Sequence, residues 1–119
     1  MIKPVVLVVE DEPLLRLLAS DMIEEAGFEV LQASNSTVAI ATMEERLDVR
    51  VVFTDVDMPG GINGIELATF IRARWPTIHI VVTSGKPWPA NEPVPVNVEF
   101  FPKPYRKDQV LDIVKRMAA

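Results

Sequence analysis

The 119-residue chain contains no cysteine and only one histidine, His79. The absence of cysteine excludes a disulfide framework, a thiol nucleophile and a thiolate metal site, and a lone histidine cannot build a zinc site. No apolar run approaches the roughly 20 residues that cross a bilayer. Residues 1–4 lead directly into a short apolar stretch without the small-residue cleavage pattern of a signal peptide. We therefore expect a cytoplasmic domain that does not enter a membrane.

What the chain does contain is apolar residues, acidic residues and proline. The apolar fraction of 49% is enough for a packed core, which argues against wholesale disorder. The 17 acidic residues outnumber the 12 basic ones, and the net charge of -5 argues against nucleic acid or an anionic membrane as the main partner. Such an excess serves either solubility or a bound cation, and composition alone favours solubility.

The order of predicted elements indicates an α/β fold. Continuous β-branched runs at 5–9, 49–53 and 78–82 are typical of strands buried on both faces, and weaker strands are predicted at 28–31 and 98–101. Helical patterns fill the gaps at 13–26, 36–46, from Gly64 to before Pro76, and 107–117. Alternating strands and helices predict a single flavodoxin-like, doubly wound domain over residues 1–119, with a five-stranded parallel sheet in the order 2-1-3-4-5.

One stretch, residues 84–97, breaks the alternation. Six of the ten prolines lie between Pro87 and Pro104, and four of them fall within nine positions of this stretch. Proline lacks a backbone donor and disfavours helix in the residue before it. We therefore predict that the fourth helix of the fold is missing or vestigial. Trp88, in the same stretch, either anchors the loop to the core or contacts a partner, and anchoring is the preferred interpretation.

Acidic and phosphate-binding side chains follow the predicted strands. Strand one ends in Glu10-Asp11-Glu12, strand three in Asp55 with Asp57 nearby, strand four in Thr83-Ser84, and strand five near Lys103. Ligands of an open parallel sheet bind beyond the carboxyl ends of its strands, so these side chains should converge. Clustered carboxylates favour a hard divalent cation, and a lysine with a hydroxyl suits a phosphoryl group. The set predicts phosphoryl transfer to a carboxylate.

On these residues the chain resembles a response-regulator receiver domain, the family typified by the bacterial chemotaxis regulator. The resemblance covers essentially the whole chain, and the order and spacing of five motifs make it specific. The motifs are VVEDEP at 8–13, TDVDMP at 54–59, NG at 63–64, VTSG at 82–85 and KP at 103–104.

The resemblance implies a role for each residue of this set. Asp55 would be the phospho-acceptor, and Glu10 and Asp11 would be the acidic pair that holds Mg²⁺ or Mn²⁺ together with Asp55 and the backbone carbonyl of Asp57. Lys103 and Thr83 would bind the phosphoryl group. The switch residues would be Thr83 and Phe100.

The resemblance also implies partners. The donor would be a histidine kinase or a phosphotransfer protein, and an unknown downstream protein would read the changed surface. No direct contact with nucleic acid or membrane is expected, and a homodimer is left open. The chain would promote its own aspartyl phosphorylation and dephosphorylation without being a conventional enzyme.

The sequence departs from the family pattern at Glu10, where Asp is commoner, and at Phe100, where Tyr is commoner. Two other functions stay open at this point. A haloacid-dehalogenase-type phosphatase would use Asp55 as nucleophile and Asp57 as general acid, but that motif normally ends the first strand. A flavin-binding module would share the fold, but Glu10-Asp11-Glu12 would repel the flavin phosphate.

Overall fold

The β-branched runs form the strands of one parallel sheet. The computed structural model describes residues 2–58 and 61–119, and in these residues the sheet contains five strands and is accompanied by four helices. The elements are β1 (Val5–Val9), α1 (Pro13–Glu25), β2 (Glu29–Ala33), α2 (Ser36–Glu45), β3 (Val49–Asp55), α3 (Gly64–Arg74), β4 (His79–Ser84), β5 (Val98–Pro102) and α4 (Lys107–Ala118). The strand order β2-β1-β3-β4-β5 confirms the predicted flavodoxin-like fold.

Helices cover both faces of the sheet, because alternate residues of the central strands point to opposite sides. On one side Leu7 packs in a core with Met43 of α2 and Leu67 of α3. On the other side Val8 packs with Ile23 of α1 and Val110 of α4. The central strands are therefore buried on both faces, and their carboxyl ends are left as the edge at which polar side chains gather.

The helix boundaries follow the local sequence. The Glu12 carboxylate accepts a hydrogen bond of 2.8 Å from the Leu15 amide, and Pro13 occupies the first turn of α1. Asn63 and Glu66 form a reciprocal capping box at the start of α3. Gly27 has a φ of 103°, a left-handed conformation that suits glycine just after a helix. No helix in the described residues has the length and apolar character needed to span a membrane.

The helical spacing did not identify every core residue. Leu14 and Leu18 belong to the apolar pattern of α1 but are 59% and 58% exposed, whereas Ala19, Met22 and Ile23 are buried. In α3 the spacing of Leu67, Phe70 and Ile71 predicts that all three face inward, but Phe70 is 39% exposed. The reason in α1 is that leucines occupy several faces of the helix, so periodicity alone could not select the face that meets the sheet.

β4 is followed directly by β5, with no helix in the described segment 85–97. This segment forms one turn, in which the Glu92 amide donates a 3.1 Å hydrogen bond to the Pro89 carbonyl. The segment therefore agrees with the expectation from its prolines. Residues 2–58 and 61–119 nevertheless contain four helices, the fourth being α4, so the helix that is absent from them is one between β4 and β5.

Candidate functional site

The carboxyl ends of the central strands bring the predicted acidic residues to one edge. Asp55 is the last residue of β3, and its register partner across β4 is Thr83. Glu10 directly follows β1, where its amide donates a 3.0 Å hydrogen bond to the Ala33 carbonyl and so continues the pairing with β2. Parallel pairing therefore places residues that are far apart in sequence on the same edge of the sheet.

Three carboxyl groups meet at this edge. One oxygen from each of Glu10, Asp11 and Asp55 lies within 4.8 Å of the others. Glu10 is only 7% exposed and Asp55 only 8%, whereas Asp11 is half-buried. Burial raises the pKa of the Glu10 carboxyl, the Glu12 amide that donates to it at 3.0 Å opposes this, and the neighbouring Asp11 and Asp55 raise it further. The three carboxylates therefore repel one another unless positive charge lies beside them.

Lys103 supplies the positive charge nearest to Asp55. Its Nζ lies 3.4 Å from Asp55 Oδ1, which is a long ion pair, and no other group of the described residues donates a hydrogen bond to this buried oxygen. Burial raises the pKa of Asp55, and the charge of Lys103 opposes that rise. The Lys103 amide donates to the Ser84 carbonyl at 2.7 Å, and the peptide bond from Lys103 to Pro104 is cis. The hydrogen bond to Ser84 continues the pairing of β4 with β5 and so places Lys103 at this edge of the sheet.

The residues present fit a hard divalent cation. A buried carboxylate oxygen with no closer partner than the long ion pair to Lys103, next to two further carboxylates, belongs to an all-oxygen donor set of the kind that Mg²⁺ and Mn²⁺ prefer. Asp57 is exposed, and its carboxylate lies outside the three-residue cluster, although its charge raises the pKa of Asp55. The role of its backbone carbonyl as a ligand stays a prediction, and Pro59, which closes the motif, lies outside the described residues.

The two predicted switch residues lie on neighbouring strands. Thr83 is buried on β4, and its carbonyl accepts a 2.9 Å hydrogen bond from the Val56 amide just after Asp55. Phe100 on β5 is half-buried, and its ring packs edge to face against Trp88 with the centroids 5.7 Å apart. Trp88 therefore anchors segment 85–97 to the core, as preferred from the sequence.

Sequence reasoning missed two residues of this edge. Gly64, noted in the sequence only for the NG motif and the start of a helix, approaches so closely that a Cβ atom there would lie 2.3 Å from the Asp55 carbonyl oxygen. Tyr105 lines a cavity of about 610 Å³ together with Glu10, Asp55 and Lys103, and apolar residues of α1 form another part of the wall. The signal for Tyr105 was its place two residues after Lys103; nothing in the sequence indicated the contact made by Gly64.

Comparison with known proteins defines the class to which this fold and site belong. The family model of the response regulator receiver domain matches residues 6–115. A putative NtrX-like response regulator of Rickettsia felis is 28% identical, with the match covering 93% of this chain and 24% of the relative. The sensor kinase CckA of Brucella abortus is 33% identical over 94% of this chain and 12% of the relative.

A solved structure extends the likeness to three dimensions. The crystal structure of the response regulator TrrA from Thermotoga maritima, in complex with Mg²⁺-BeF, superimposes with a TM-score of 0.84. It is 27% identical, and the match covers 95% of this chain and 97% of that one. The chain belongs to the response regulator receiver domain family of two-component signalling. It spans about a quarter of the length of the NtrX-like relatives it matches.

Proposed function

We propose that Asp55 accepts a phosphoryl group from a phosphohistidine of a histidine kinase or phosphotransfer protein. The observation that best supports this proposal is the position of the Asp55 carboxylate. It is buried at the end of β3, 3.4 Å from the Lys103 Nζ and within the acidic cluster. Receiver domains in general interact with histidine kinases or phosphotransfer proteins, which supports this class of donor. A cytoplasmic location is part of the proposal, because the ATP that charges a kinase is made there.

The reaction is an in-line displacement. An Asp55 oxygen attacks phosphorus, the phosphorus–nitrogen bond of the phosphohistidine breaks, and its electron pair leaves with the imidazole nitrogen, which takes a proton from water. The Lys103 ammonium offsets charge on the phosphoryl oxygens, and the Thr83 hydroxyl donates a hydrogen bond to one of them. The Lys103 ammonium already lies beside Asp55, so it needs little reorganisation.

The acidic cluster would hold the cation that this chemistry requires. Glu10, Asp11 and Asp55 would bind Mg²⁺ or Mn²⁺ together with the backbone carbonyl of Asp57, directly or through water. A bound cation would supply positive charge to the phosphoryl oxygens and offset the repulsion among the three carboxylates.

The readout would be a change at the edge formed by β4 and β5. The new phosphoryl group would draw the Thr83 hydroxyl toward it, and the space vacated would admit the Phe100 ring. Segment 85–97 would respond, because Trp88 packs on Phe100. A downstream protein, or a second copy of the chain, would read that surface. Direct binding of nucleic acid or membrane is not part of the proposal.

The phosphatase alternative is not favoured. The family model covers almost the whole chain, and the acids at 55 and 57 end the third strand rather than the first. The exposed Asp57 carboxylate also lies outside the cluster around Asp55, whereas a general acid must reach the leaving group.

Intact-mass spectrometry tests the proposal. The protein is incubated with phosphoramidate with and without MgCl2, and we expect one added phosphoryl group only when Mg²⁺ is present. Asp55→Asn should abolish the addition, while Asp21→Asn, an exposed aspartate on α1, should leave it unchanged. Undiminished phosphorylation of Asp55→Asn would show that Asp55 is not the phospho-acceptor. Sustained turnover of phosphomonoesters would favour the phosphatase.

A further inference from the structure

The cavity above Asp55 contains two polar side chains to which the proposed reaction gives no role. These are the phenol of Tyr105 and the ammonium group of Lys107. Lys107 is exposed and lies 4.0 Å from the Glu25 carboxylate, so its charge already has a partner. Tyr105 is half-buried, and no hydrogen bond joins its hydroxyl to another of the described residues. Its hydroxyl is therefore free to donate a hydrogen bond to a molecule that enters the cavity.

The position of the Tyr105 ring is fixed relative to Asp55. The ring packs edge to face on Phe53, with centroids 6.0 Å apart and an interplanar angle of 78°. Phe53 lies two residues before Asp55 on β3, so one strand sets the position of both the nucleophile and the ring. Burial raises the pKa of the phenol, and the charges of Glu10 and Asp55 raise it further. The hydroxyl therefore keeps its proton and can donate it in a hydrogen bond to an incoming acceptor.

The cavity also lies where the leaving group of the proposed reaction would depart. In an in-line displacement it departs from the side of phosphorus opposite the attacking oxygen, and thus away from Asp55. The cavity wall on the α1 side is apolar, formed by Leu15, Leu18 and Met22. A planar imidazole with apolar faces and one free ring nitrogen matches a site that has an apolar wall and one uncharged donor.

We propose that Tyr105 is a positioning residue for the phosphodonor: its hydroxyl donates a hydrogen bond to the imidazole nitrogen that does not carry phosphorus. This inference rests on the proposed function of Asp55. As the phosphorus–nitrogen bond breaks, its electron pair stays on the imidazole, and the hydrogen bond from the phenol stabilises the charge that develops on the ring. The ring takes its proton from water, and Tyr105 stays protonated throughout.

Two small donors separate this role from general effects on the site. N-phosphoimidazole has a second ring nitrogen, whereas phosphoramidate releases ammonia and has none. Tyr105→Phe keeps the ring on Phe53 and removes only the hydroxyl. Because a net hydrogen bond contributes about 0.5–1.5 kcal/mol, we expect Tyr105→Phe to slow phosphorylation by N-phosphoimidazole about 2- to 10-fold. Phosphorylation by phosphoramidate should change less than about twofold, since that donor makes no such bond.

Lys107→Gln is the matched control, because it changes the other unassigned polar group of the same cavity. It should affect both donors equally or neither. The inference is wrong if Tyr105→Phe leaves both rates unchanged, slows both equally, or is reproduced by Lys107→Gln. If the unaltered protein accepts phosphate from phosphoramidate but the variants do not differ, only the role of Tyr105 fails. If it accepts phosphate from neither donor, the proposed function fails with it.

A spectroscopic measurement reports on the hydroxyl directly. Tyr105 is the single tyrosine of the chain, so incorporated 3-fluorotyrosine gives one ¹⁹F signal. In the unreactive Asp55→Asn protein with Mg²⁺, N-phosphoimidazole should shift this signal, and phosphoramidate at the same occupancy should shift it much less. Equal shifts with the two donors would contradict a contact with the ring nitrogen.

Discussion

At the scale of single residues, Gly64 shows how closely the backbone packs around Asp55. Its amide donates a 3.0 Å hydrogen bond to the Val56 carbonyl, which draws the start of α3 against the end of β3. A Cβ at position 64 would lie 2.3 Å from the Asp55 carbonyl oxygen, and this backbone atom cannot rotate away. Any side chain there must displace either α3 or Asp55.

Gly64→Ala should therefore destabilise the protein and slow its phosphorylation. Overpacking of this kind costs about 1–3 kcal/mol, measured as the free energy of unfolding in urea. Gly85→Ala is the matched control, because a Cβ there meets nothing within 4 Å. It should alter the free energy of unfolding by less than about 0.5 kcal/mol. Equal stability of the two variants would contradict the close approach of Gly64.

The clustering of Glu10, Asp11 and Asp55 was predictable from the sequence because parallel strands present their carboxyl ends on one edge. The sequence could not predict the contact of Gly64 or the direction of the Tyr105 hydroxyl. Both depend on how a loop returns to the sheet, and no repeating pattern encodes that path. The functional roles of the acids come from the resemblance to the family and stay predictions until phosphorylation is measured.

At the scale of elements, segment 85–97 connects β4 to β5 without a helix. The indole ring of Trp88 in this segment packs on Phe100, and the Trp88 Nε1 donates a 2.7 Å hydrogen bond to the Glu92 carbonyl. The segment is thus fastened to the half-buried switch ring by one aromatic contact, and folded on itself by one hydrogen bond. A movement of Phe100 would remove the surface on which Trp88 rests.

Tryptophan fluorescence should detect that movement. In a Trp75→Phe background Trp88 is the remaining tryptophan of the chain. Adding beryllofluoride with Mg²⁺ should shift its emission to longer wavelength and increase quenching by acrylamide, because the indole loses its contact with Phe100. Asp55→Asn should show neither change. If Asp55 becomes phosphorylated while the emission stays constant, Phe100 and Trp88 do not respond to the site.

The elements also show where sequence patterns succeed and fail. β-branched runs located the central strands, although β3 and β4 each extend two residues beyond their predicted ends. Those extra residues include Asp55 and Thr83, polar side chains that end an apolar run but keep the ladder pairing. Periodicity failed in α1, where Leu14 and Leu18 are exposed, because burial depends on how the helix is rotated on the sheet.

At the scale of the whole molecule, part of the net charge of -5 comes from the acids that cluster around Asp55. Any salt screens the charges of surface acids, whereas the charge of the buried Asp55 is affected mainly by the groups that surround it. Burial raises the pKa of Asp55 above 3.8, so the folded state holds this proton more tightly than the unfolded state. In metal-free protein the ionised carboxylate therefore lowers stability at neutral pH, and stability is regained as the pH falls through the folded pKa toward 3.8.

Asp55→Asn should consequently reverse its effect on stability when Mg²⁺ is added. In EDTA at pH 7 we expect the variant to be more stable in urea unfolding, because no buried charge is left at that position, and this advantage should disappear as the pH falls toward 3.8. At 100 times its dissociation constant, Mg²⁺ should stabilise the original protein by about 2.7 kcal/mol and the variant much less. NaCl at matched ionic strength separates screening from binding, and Asp21→Asn should respond to Mg²⁺ as the original does. If NaCl reproduces the effect of MgCl2, or Asp55→Asn gains as much from Mg²⁺ as the original, the acidic cluster does not bind the cation.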